Sequence, residues 1–173
     1  MLEQARSIAE EAHGTQRDKL ERDYYDAHLR PIAEAAAVFG PDAEAAGWLH
    51  DVLKDTNLTA EDLRAHGIPD RVIEAVESVS KGPAEEPYEE LISRASEHPL
   101  GRLVKLVDNA WNITCNPDLA RTDPEKARDL MTRKYVPARA RLLAACGFDA
   151  DSLEVVQMQA ILDGHLARLH GEG

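Results

Sequence analysis

The stretch WLHDVLKDT (Trp48–Thr56) places a histidine and an aspartate side by side in a helical, largely apolar context. Successive helical side chains diverge by about 100°, so His50 and Asp51 point in different directions from one edge of the predicted helix. Three apolar residues turn that edge inward: Leu49, Val52 and Leu53. An imidazole and a carboxylate at such an edge can share a divalent metal if other helices supply further ligands. Taken alone, the dipeptide favours the simpler interpretation, a histidine and an aspartate that hydrogen-bond in the interior.

Composition and charge restrict the possible functions. The chain has 173 residues, of which 43% are hydrophobic and 30% charged, as is typical of one soluble globular domain. The formal net charge of −12 repels a phosphate backbone at long range, so no nucleic-acid partner is expected. A small anionic substrate would need a local cationic pocket or a bound metal. No run approaches the ~18 apolar residues of a membrane span, and the N-terminus does not resemble a signal peptide. We therefore expect a cytoplasmic protein.

Helical periodicity runs through the chain, and no segment of useful length alternates with the period of a strand. The sequence predicts an all-α, HD-type helical bundle of about eight to nine helices, forming a single domain over residues 1–173. Residues 2–116 carry the motifs, and C-terminal helices over 124–170 are expected to pack on them. The helix holding His28 is predicted over 27–39, with Pro31 in its first turn. Asn116-Pro117 is expected to end the helix that starts at Leu100, and Asp151 to cap the last helix.

Three polar residues join the central pair. His28 begins the helix before the one holding His50, and a Gly-Pro turn between the two helices makes them neighbours. Asp108 lies on a strongly apolar helix, where a buried carboxylate is unfavourable unless it is paired or bound to a metal. Asn112 follows four residues later on the same helical face. The order is a lone histidine, then His-Asp, then a distant aspartate.

This order resembles the HD superfamily of metal-dependent phosphohydrolases, and within it the hydrolase domain of the RelA/SpoT alarmone enzymes and their single-domain relatives. The resemblance covers about residues 2–116. The stretches that carry it are Ala12-His13-Gly14, Gln16-Arg17, Tyr25–His28 (YDAH), Trp48–Leu53 (WLHDVL), Asp55-Thr56, Val104–Asp108 (VKLVD) and Asn112.

The resemblance implies a metal site and a reaction. Its ligands would be His28, His50, Asp51 and Asp108. Mixed imidazole and carboxylate ligation suits Mn²⁺ first, with Fe²⁺, Co²⁺ or Zn²⁺ as alternatives. The family removes pyrophosphate from the 3′ position of a guanosine polyphosphate through a metal-activated water. The implied partner is therefore a small phosphorylated nucleotide, and the oligomeric state is left open.

Further residues match family positions around the substrate. Asn112 corresponds to a position near the nucleotide and the attacking water, and Asp55 to a catalytic carboxylate. Arg17 and Lys19 fall in the basic segment that contacts substrate. Each also has a simpler interpretation, because Asp55 can stabilise a helix-terminal turn and the two cations can be solvated loop charges.

The chain also departs from the family pattern, most importantly at Lys54. Lys54 stands where the family has a catalytic glutamate, four residues after His50. A lysine there favours anion binding and disfavours proton transfer unless burial lowers its pKa, and it can equally be a surface charge paired with an acid. Asn109-Ala110-Trp111 replaces a basic-apolar-His run.

Three functions follow from these residues. The first is an active nucleotide phosphohydrolase of the (p)ppGpp 3′-pyrophosphohydrolase type, with Lys54, Asp55 and Asn112 as catalytic residues. The second is a catalytically weakened nucleotide- or metal-binding relative, and the third is a nucleotidase acting on a nucleoside monophosphate. Trp48 and Trp111 are expected in the core. Five C-terminal residues are expected on the helix surface: Arg133, Lys134, Tyr135, His165 and His170.

Overall fold

Helices make up the regular structure in a computed structural model, which describes residues 1–82 and 84–171. Within those ranges no β-strand forms, and a single isolated bridge pairs Arg17 with Asp23. The all-α prediction is confirmed. Pro83 and the last two residues of the predicted domain, Glu172 and Gly173, lie outside the described residues. The helices are α1 (Leu2–His13), α2 (Arg30–Ala36), α3 (Pro41–Leu49), α4 (Val52–Asp55), α5 (Ala60–Ala65), α6 (Asp70–Val79), α7 (Tyr88–Glu97), α8 (Gly101–Thr122), α9 (Pro124–Leu130), α10 (Val136–Cys146) and α11 (Leu153–Leu169).

Shorter turns join some of these helices end to end. A first π-turn, Tyr25–Leu29, precedes α2, and a 3₁₀ turn, Ala37–Phe39, follows it. A second π-turn, Met131–Tyr135, links α9 to α10. The helix predicted from residue 27 therefore begins earlier, as a π-turn. Pro31 lies in the first turn of α2, as predicted.

Two apolar clusters hold the bundle together. One lies among α1, α3 and α6, and the other among α2, α8, α10 and α11. Trp48 belongs to the first cluster and Trp111 to the second, both buried as expected. Alanines fill much of the α2–α3 contact, so the two backbones approach closely. A Cβ atom built on Gly47 of α3 would lie 2.9 Å from the Cα atom of Ala33 in α2.

Two predicted helix boundaries are wrong. Helix α8 continues through Pro117 to Thr122, because the proline ring lies on the exposed side while Leu119 is buried in the next turn. Tertiary packing on both sides of Pro117 thus outweighs its local tendency to end a helix. Asp151 is not the cap of α11, since the N-cap position belongs to Ser152.

The last helix is less exposed than the sequence suggests. His165 of α11 is buried, and its Nε2 atom lies 2.9 Å from Glu34 Oε2 on α2. The expectation that His165 lies on the surface is therefore wrong, because α11 packs against α2 and α8. No helix in the described part of the chain is both long and apolar enough to cross a membrane.

The close α2–α3 approach can be tested with one methyl group. We expect Gly47→Ala to lower the free energy of unfolding by about 1–2 kcal/mol, because overpacking against the Ala33 backbone exceeds the gain in helix propensity. Urea denaturation followed by circular dichroism measures this change.

Gly164 in α11 is the matched control. Nothing lies within 4 Å of a Cβ atom built there. Gly164→Ala should therefore raise the free energy of unfolding by roughly 0.5–1 kcal/mol through helix propensity alone. The same sign for both variants would contradict the packing described for α2 and α3.

Candidate metal centre

His50 and Asp51 lie where α3 ends and α4 begins, rather than inside one continuous helix. His50 Nδ1 lies 2.7 Å from the carbonyl oxygen of Gly47, which the next helical turn would otherwise use. Asp51 is the N-cap of α4, with φ −103° and ψ −3°, and its carbonyl accepts hydrogen bonds from the backbone N–H groups of Lys54 and Asp55. This break directs both side chains toward the same place. His50 Nε2 lies 3.1 Å from Asp51 Oδ2.

His28 reaches the pair from the first π-turn. Its Nε2 atom lies 3.4 Å from Asp51 Oδ2 and 3.7 Å from Asp108 Oδ1. One ligand atom from each of His28, His50 and Asp51 lies within 4.8 Å of the other two, an arrangement that can surround one ion. Two separate segments of the chain thus contribute to this cluster.

Helix α8 brings Asp108 and Asn112 to the cluster on one face. Asn112 Nδ2 donates to Asp108 Oδ1 over 3.0 Å, which is the contact expected from their spacing of four residues. Asp108 is buried, as its apolar helix suggested. The structure therefore brings together all four predicted ligands, together with Asn112.

Each of the two aspartates has a lysine on its second oxygen. Lys54 Nζ lies 3.0 Å from Asp51 Oδ1, and Lys105 Nζ lies 2.7 Å from Asp108 Oδ2. Lys105 was not predicted as a site residue, although its place three residues before Asp108 could have indicated the pair. These ion pairs leave Asp51 Oδ2 and Asp108 Oδ1 directed toward the histidines.

The neighbouring charges set the protonation of the cluster. Burial opposes ionisation of Asp51, but His50, His28 and Lys54 outweigh it and hold its pKa well below the usual range. Burial likewise opposes ionisation of Asp108, yet Lys105 and the histidines lower its pKa to about 2. Both carboxylates are therefore anionic at neutral pH, as metal ligation requires.

The donor set fits a divalent ion. His50 Nε2 is buried and finds no hydrogen-bond partner of good geometry among the described residues, whereas Nδ1 is placed to donate to Gly47. This is the arrangement in which one ring nitrogen orients the imidazole and the other is free to bind metal. Tyr24 donates a hydrogen bond to Asp51 Oδ2 and stacks on the His28 ring at a centroid distance of 4.7 Å. Two imidazoles and two carboxylates suit Mn²⁺, Fe²⁺, Co²⁺ or Zn²⁺.

A cavity of about 580 Å³ opens beside this cluster. Its volume lies within the range of roughly 300–1,000 Å³ that is common for small-molecule sites. Five acidic residues line it, including Asp51 and Asp108. The seven Lys and Arg residues lining it are Arg17, Lys19, Arg22, Lys54, Lys81, Lys105 and Lys134. More than a third of the chain's 20 Lys and Arg residues therefore surround one cavity, although the net charge of the whole chain is −12.

The remaining predicted site residues also line this cavity. Asp55 Oδ2 accepts a hydrogen bond of 2.9 Å from Gln16, and its Oδ1 lies 3.4 Å from Lys54 Nζ. Lys19 Nζ donates to the hydroxyl of Tyr135 over 3.0 Å, and burial lowers the pKa of this lysine. Arg17 is half exposed and forms only a long ion pair with Asp23, at 3.7 Å.

The second π-turn supplies two cavity residues that the sequence placed on the surface. Tyr135 is buried and Lys134 lies beside the ring of Tyr88, at 5.3 Å from its centroid. The surface prediction is wrong for Tyr135 because the second π-turn directs it toward Lys19. Arg133, in contrast, is exposed as expected. Nothing in the helical periodicity indicates a π-turn at this point.

Comparison with known proteins supports the fold. No protein-family model matches the chain, and no curated protein matches it by sequence. Among solved structures, it is similar to a metazoan ortholog of SpoT that hydrolyzes ppGpp and plays a role in starvation responses. The two share 21% sequence identity with a TM-score of 0.69, over 99% of this chain and 96% of that one. The chain therefore shares its overall fold with that protein.

The cluster predicts metal binding that depends on Asp51. After equilibration with Mn²⁺ and desalting, we expect close to one ion per chain by elemental analysis, and Asp51→Ala should lose most of it because Oδ2 faces both histidines. Asp129→Ala is the control, since Asp129 is an exposed carboxylate paired with Arg133. Full occupancy in folded Asp51→Ala would remove Asp51 from the ligand set.

Proposed function

We propose that the chain is a metal-dependent nucleotide phosphohydrolase of the (p)ppGpp 3′-pyrophosphohydrolase type. The observation that carries this proposal is the cation-rich cavity beside the two histidines and two aspartates. An acidic protein repels a polyphosphate over most of its surface, so a local concentration of lysine and arginine favours an anionic ligand at this place. The similar fold of a metazoan SpoT ortholog that hydrolyzes ppGpp supports the same substrate class.

His28, His50, Asp51 and Asp108 would hold the divalent metal. When bound, the ion would lower the pKa of water and neutralise charge on phosphate oxygens. Around it, the residues of the chain would bind and orient the nucleotide. Because their side chains carry a positive charge and both residues line the cavity, Lys19 and Lys54 are suited to contact phosphate oxygens, as is the half-exposed Arg17.

Asn112 would orient the attacking water, and Asp55 would accept its proton. Asn112 donates its amide N–H to Asp108, which leaves its carbonyl oxygen to accept a hydrogen bond from water or from the nucleotide. Asp55 is a cavity carboxylate to which we assign no metal, and Gln16 fixes its orientation through Oδ2. Its oxygens can hold the proton released when water attacks the 3′-pyrophosphate.

The residue at position 54 distinguishes an active hydrolase from a catalytically weakened relative. Its side chain is 40% exposed and lies against Asp51 and Asp55. Burial opposes its charge, but the two carboxylates raise its pKa above the usual value, so it is an ammonium group at neutral pH. An ammonium group can bind phosphate but cannot accept a proton. This favours the second reading, a nucleotide-binding relative with slow hydrolysis, if the chemistry requires a carboxylate at position 54.

Hydrolysis is tested directly by incubating the Mn²⁺-loaded protein with ppGpp and related nucleotides and analysing the products. We expect GDP and pyrophosphate from ppGpp, and no turnover after EDTA treatment, because the four ligands would no longer hold an ion. Phosphate release from nucleoside monophosphates alone would instead establish the nucleotidase reading. Nucleotide binding without any turnover would establish the weakened relative.

Lys54→Glu tests the role of the unusual lysine. General acid–base groups contribute about 10²–10⁴-fold in rate, so we expect ppGpp hydrolysis well above that of the parent chain. Metal affinity should rise as well, because an anion replaces a cation beside Asp51. Initial rates and Mn²⁺ titrations measure the two effects.

Lys126→Glu provides the charge control, because Lys126 is exposed on α9 and does not line the cavity. It should change neither rate nor metal affinity. If Lys54→Glu slows hydrolysis instead, Lys54 binds a substrate phosphate in a rebuilt site. If both quantities stay unchanged, Lys54 acts neither on the metal nor on the nucleotide.

A further inference from the structure

The turn that carries His28 runs directly into a proline, which supplies no backbone donor. Arg30 N–H donates to the carbonyl of Tyr25, five residues back, as in a π-turn. Pro31 comes next and has no N–H. In a π register that missing donor would have served Asp26 O, and in an α register it would have served Ala27 O. The proline therefore leaves the backbone around His28 short of one donor.

Side chains from two distant helices bind these two carbonyls. Arg168 Nη2 of α11 donates to Asp26 O over 3.0 Å, and Trp111 Nε1 of α8 donates to Ala27 O over 3.0 Å. Arg168 also donates through Nη1 to Asp26 Oδ2 over 2.8 Å. The backbone immediately before His28 is thus held by two external donors.

His28 depends on its backbone more than His50 does. His50 has a hydrogen bond at Nδ1 that orients its ring. In the part of the chain that the structure describes, none of the hydrogen bonds reaches Nδ1 of His28, and its ring is oriented by the stack on Tyr24. A shift of the first π-turn would therefore move Nε2 of His28 relative to Asp51 and Asp108.

We propose that Arg168 and Trp111 are positioning residues, which fix the first π-turn so that His28 can bind metal. The C-terminal helix α11 is then part of the metal centre, although it contributes none of the four proposed ligands. The inference rests on the metal site of the proposed function, but not on the identity of the nucleotide. It also gives a role to Trp111, which stands where the resemblance expects a histidine.

Calorimetric titration with Mn²⁺, paired with thermal melting of each variant, tests the role of Arg168. Residues that orient metal ligands typically change metal affinity by about 10–100-fold, so we expect Arg168→Gln to weaken Mn²⁺ binding about tenfold or more. Its melting temperature should stay near that of the parent, because the ion pair is partly exposed, at 35% for Arg168 and 40% for Asp26. Arg168→Lys keeps a charged donor but loses the two parallel N–H groups of the guanidinium. It should therefore bind Mn²⁺ more tightly than Arg168→Gln but less tightly than the parent.

Arg64→Gln is the matched control. Arg64 lies on α5, pairs with Glu61 and Asp70 at 2.8 Å each, and is 48% exposed, but it does not line the cavity. Its substitution should leave Mn²⁺ affinity within twofold of the parent. Unchanged Mn²⁺ affinity in Arg168→Gln would overturn the role of Arg168. So would losses of Mn²⁺ affinity that simply parallel the drop in melting temperature in every variant, the control included.

Trp111 is tested by Trp111→Phe and Trp111→His. Phenylalanine removes the N–H donor, whereas histidine is smaller but can still donate, so a positioning role predicts tighter Mn²⁺ binding for Trp111→His than for Trp111→Phe. The opposite order would mean that Trp111 acts only by filling volume. If the parent binds Mn²⁺ but hydrolyses no nucleotide, the proposed function fails while this inference still stands. If the parent binds no divalent metal, both fail.

Discussion

The site depends on two aspartates that each use one carboxylate oxygen to pair with a lysine and the other to face histidine. Asp51 and Asp108 each direct one oxygen toward the histidines and the other toward a lysine. Without partners, two carboxylates this close and this buried would repel each other and lose solvation. For the buried Lys105–Asp108 pair, removing one member typically costs about 3–5 kcal/mol, because the remaining charge is uncompensated. Lys54 and Lys105 thus keep both aspartates ionised and leave one oxygen of each to the histidines.

Three of the four proposed ligands come from irregular backbone, and the regular helices packed around it hold these segments in position. His28 comes from a π-turn, and His50 and Asp51 come from the junction of α3 and α4. Only Asp108 projects from the interior of a regular helix, the 22-residue α8. Such π-turns are often found at functional sites, because the wider turn redirects a side chain that an α-helix would point elsewhere. Here the close packing of α2 on α3, made possible by Gly47 and the alanines, brings the two histidine segments together.

Much of this arrangement could be predicted from the sequence. Apolar periodicity without strand-like alternation indicated an all-α chain, and the order of His28, His50-Asp51 and Asp108 indicated which distant residues meet. The first signal is local, because it depends on spacing along a helix, whereas the second comes from the resemblance to the HD superfamily. Lys105 lies three residues before Asp108, a spacing that places the two side chains together on a helix, although it was not among the predicted site residues.

Other features depend on tertiary packing and had no local signal. Pro117 remains inside α8 because buried residues on both sides hold the helix together. Tyr135 enters the cavity because a π-turn changes the direction of its helix face. Arg168, 142 residues from Asp26 in sequence, reaches it only because α11 packs across α2. The sequence showed that a small anionic substrate would need a cationic pocket or a bound metal. It did not show which residues form that pocket, because its seven cations come from distant parts of the chain.

The central claim is that one divalent ion is bound among His28, His50, Asp51 and Asp108. Anomalous diffraction from crystals of the Mn²⁺-loaded protein, recorded on both sides of the manganese absorption edge, tests it most directly. We expect one strong anomalous peak in contact with both imidazole Nε2 atoms and one oxygen of each aspartate. A peak bound elsewhere, or a fully loaded crystal in which His28 and His50 make no contact with the ion, would contradict it.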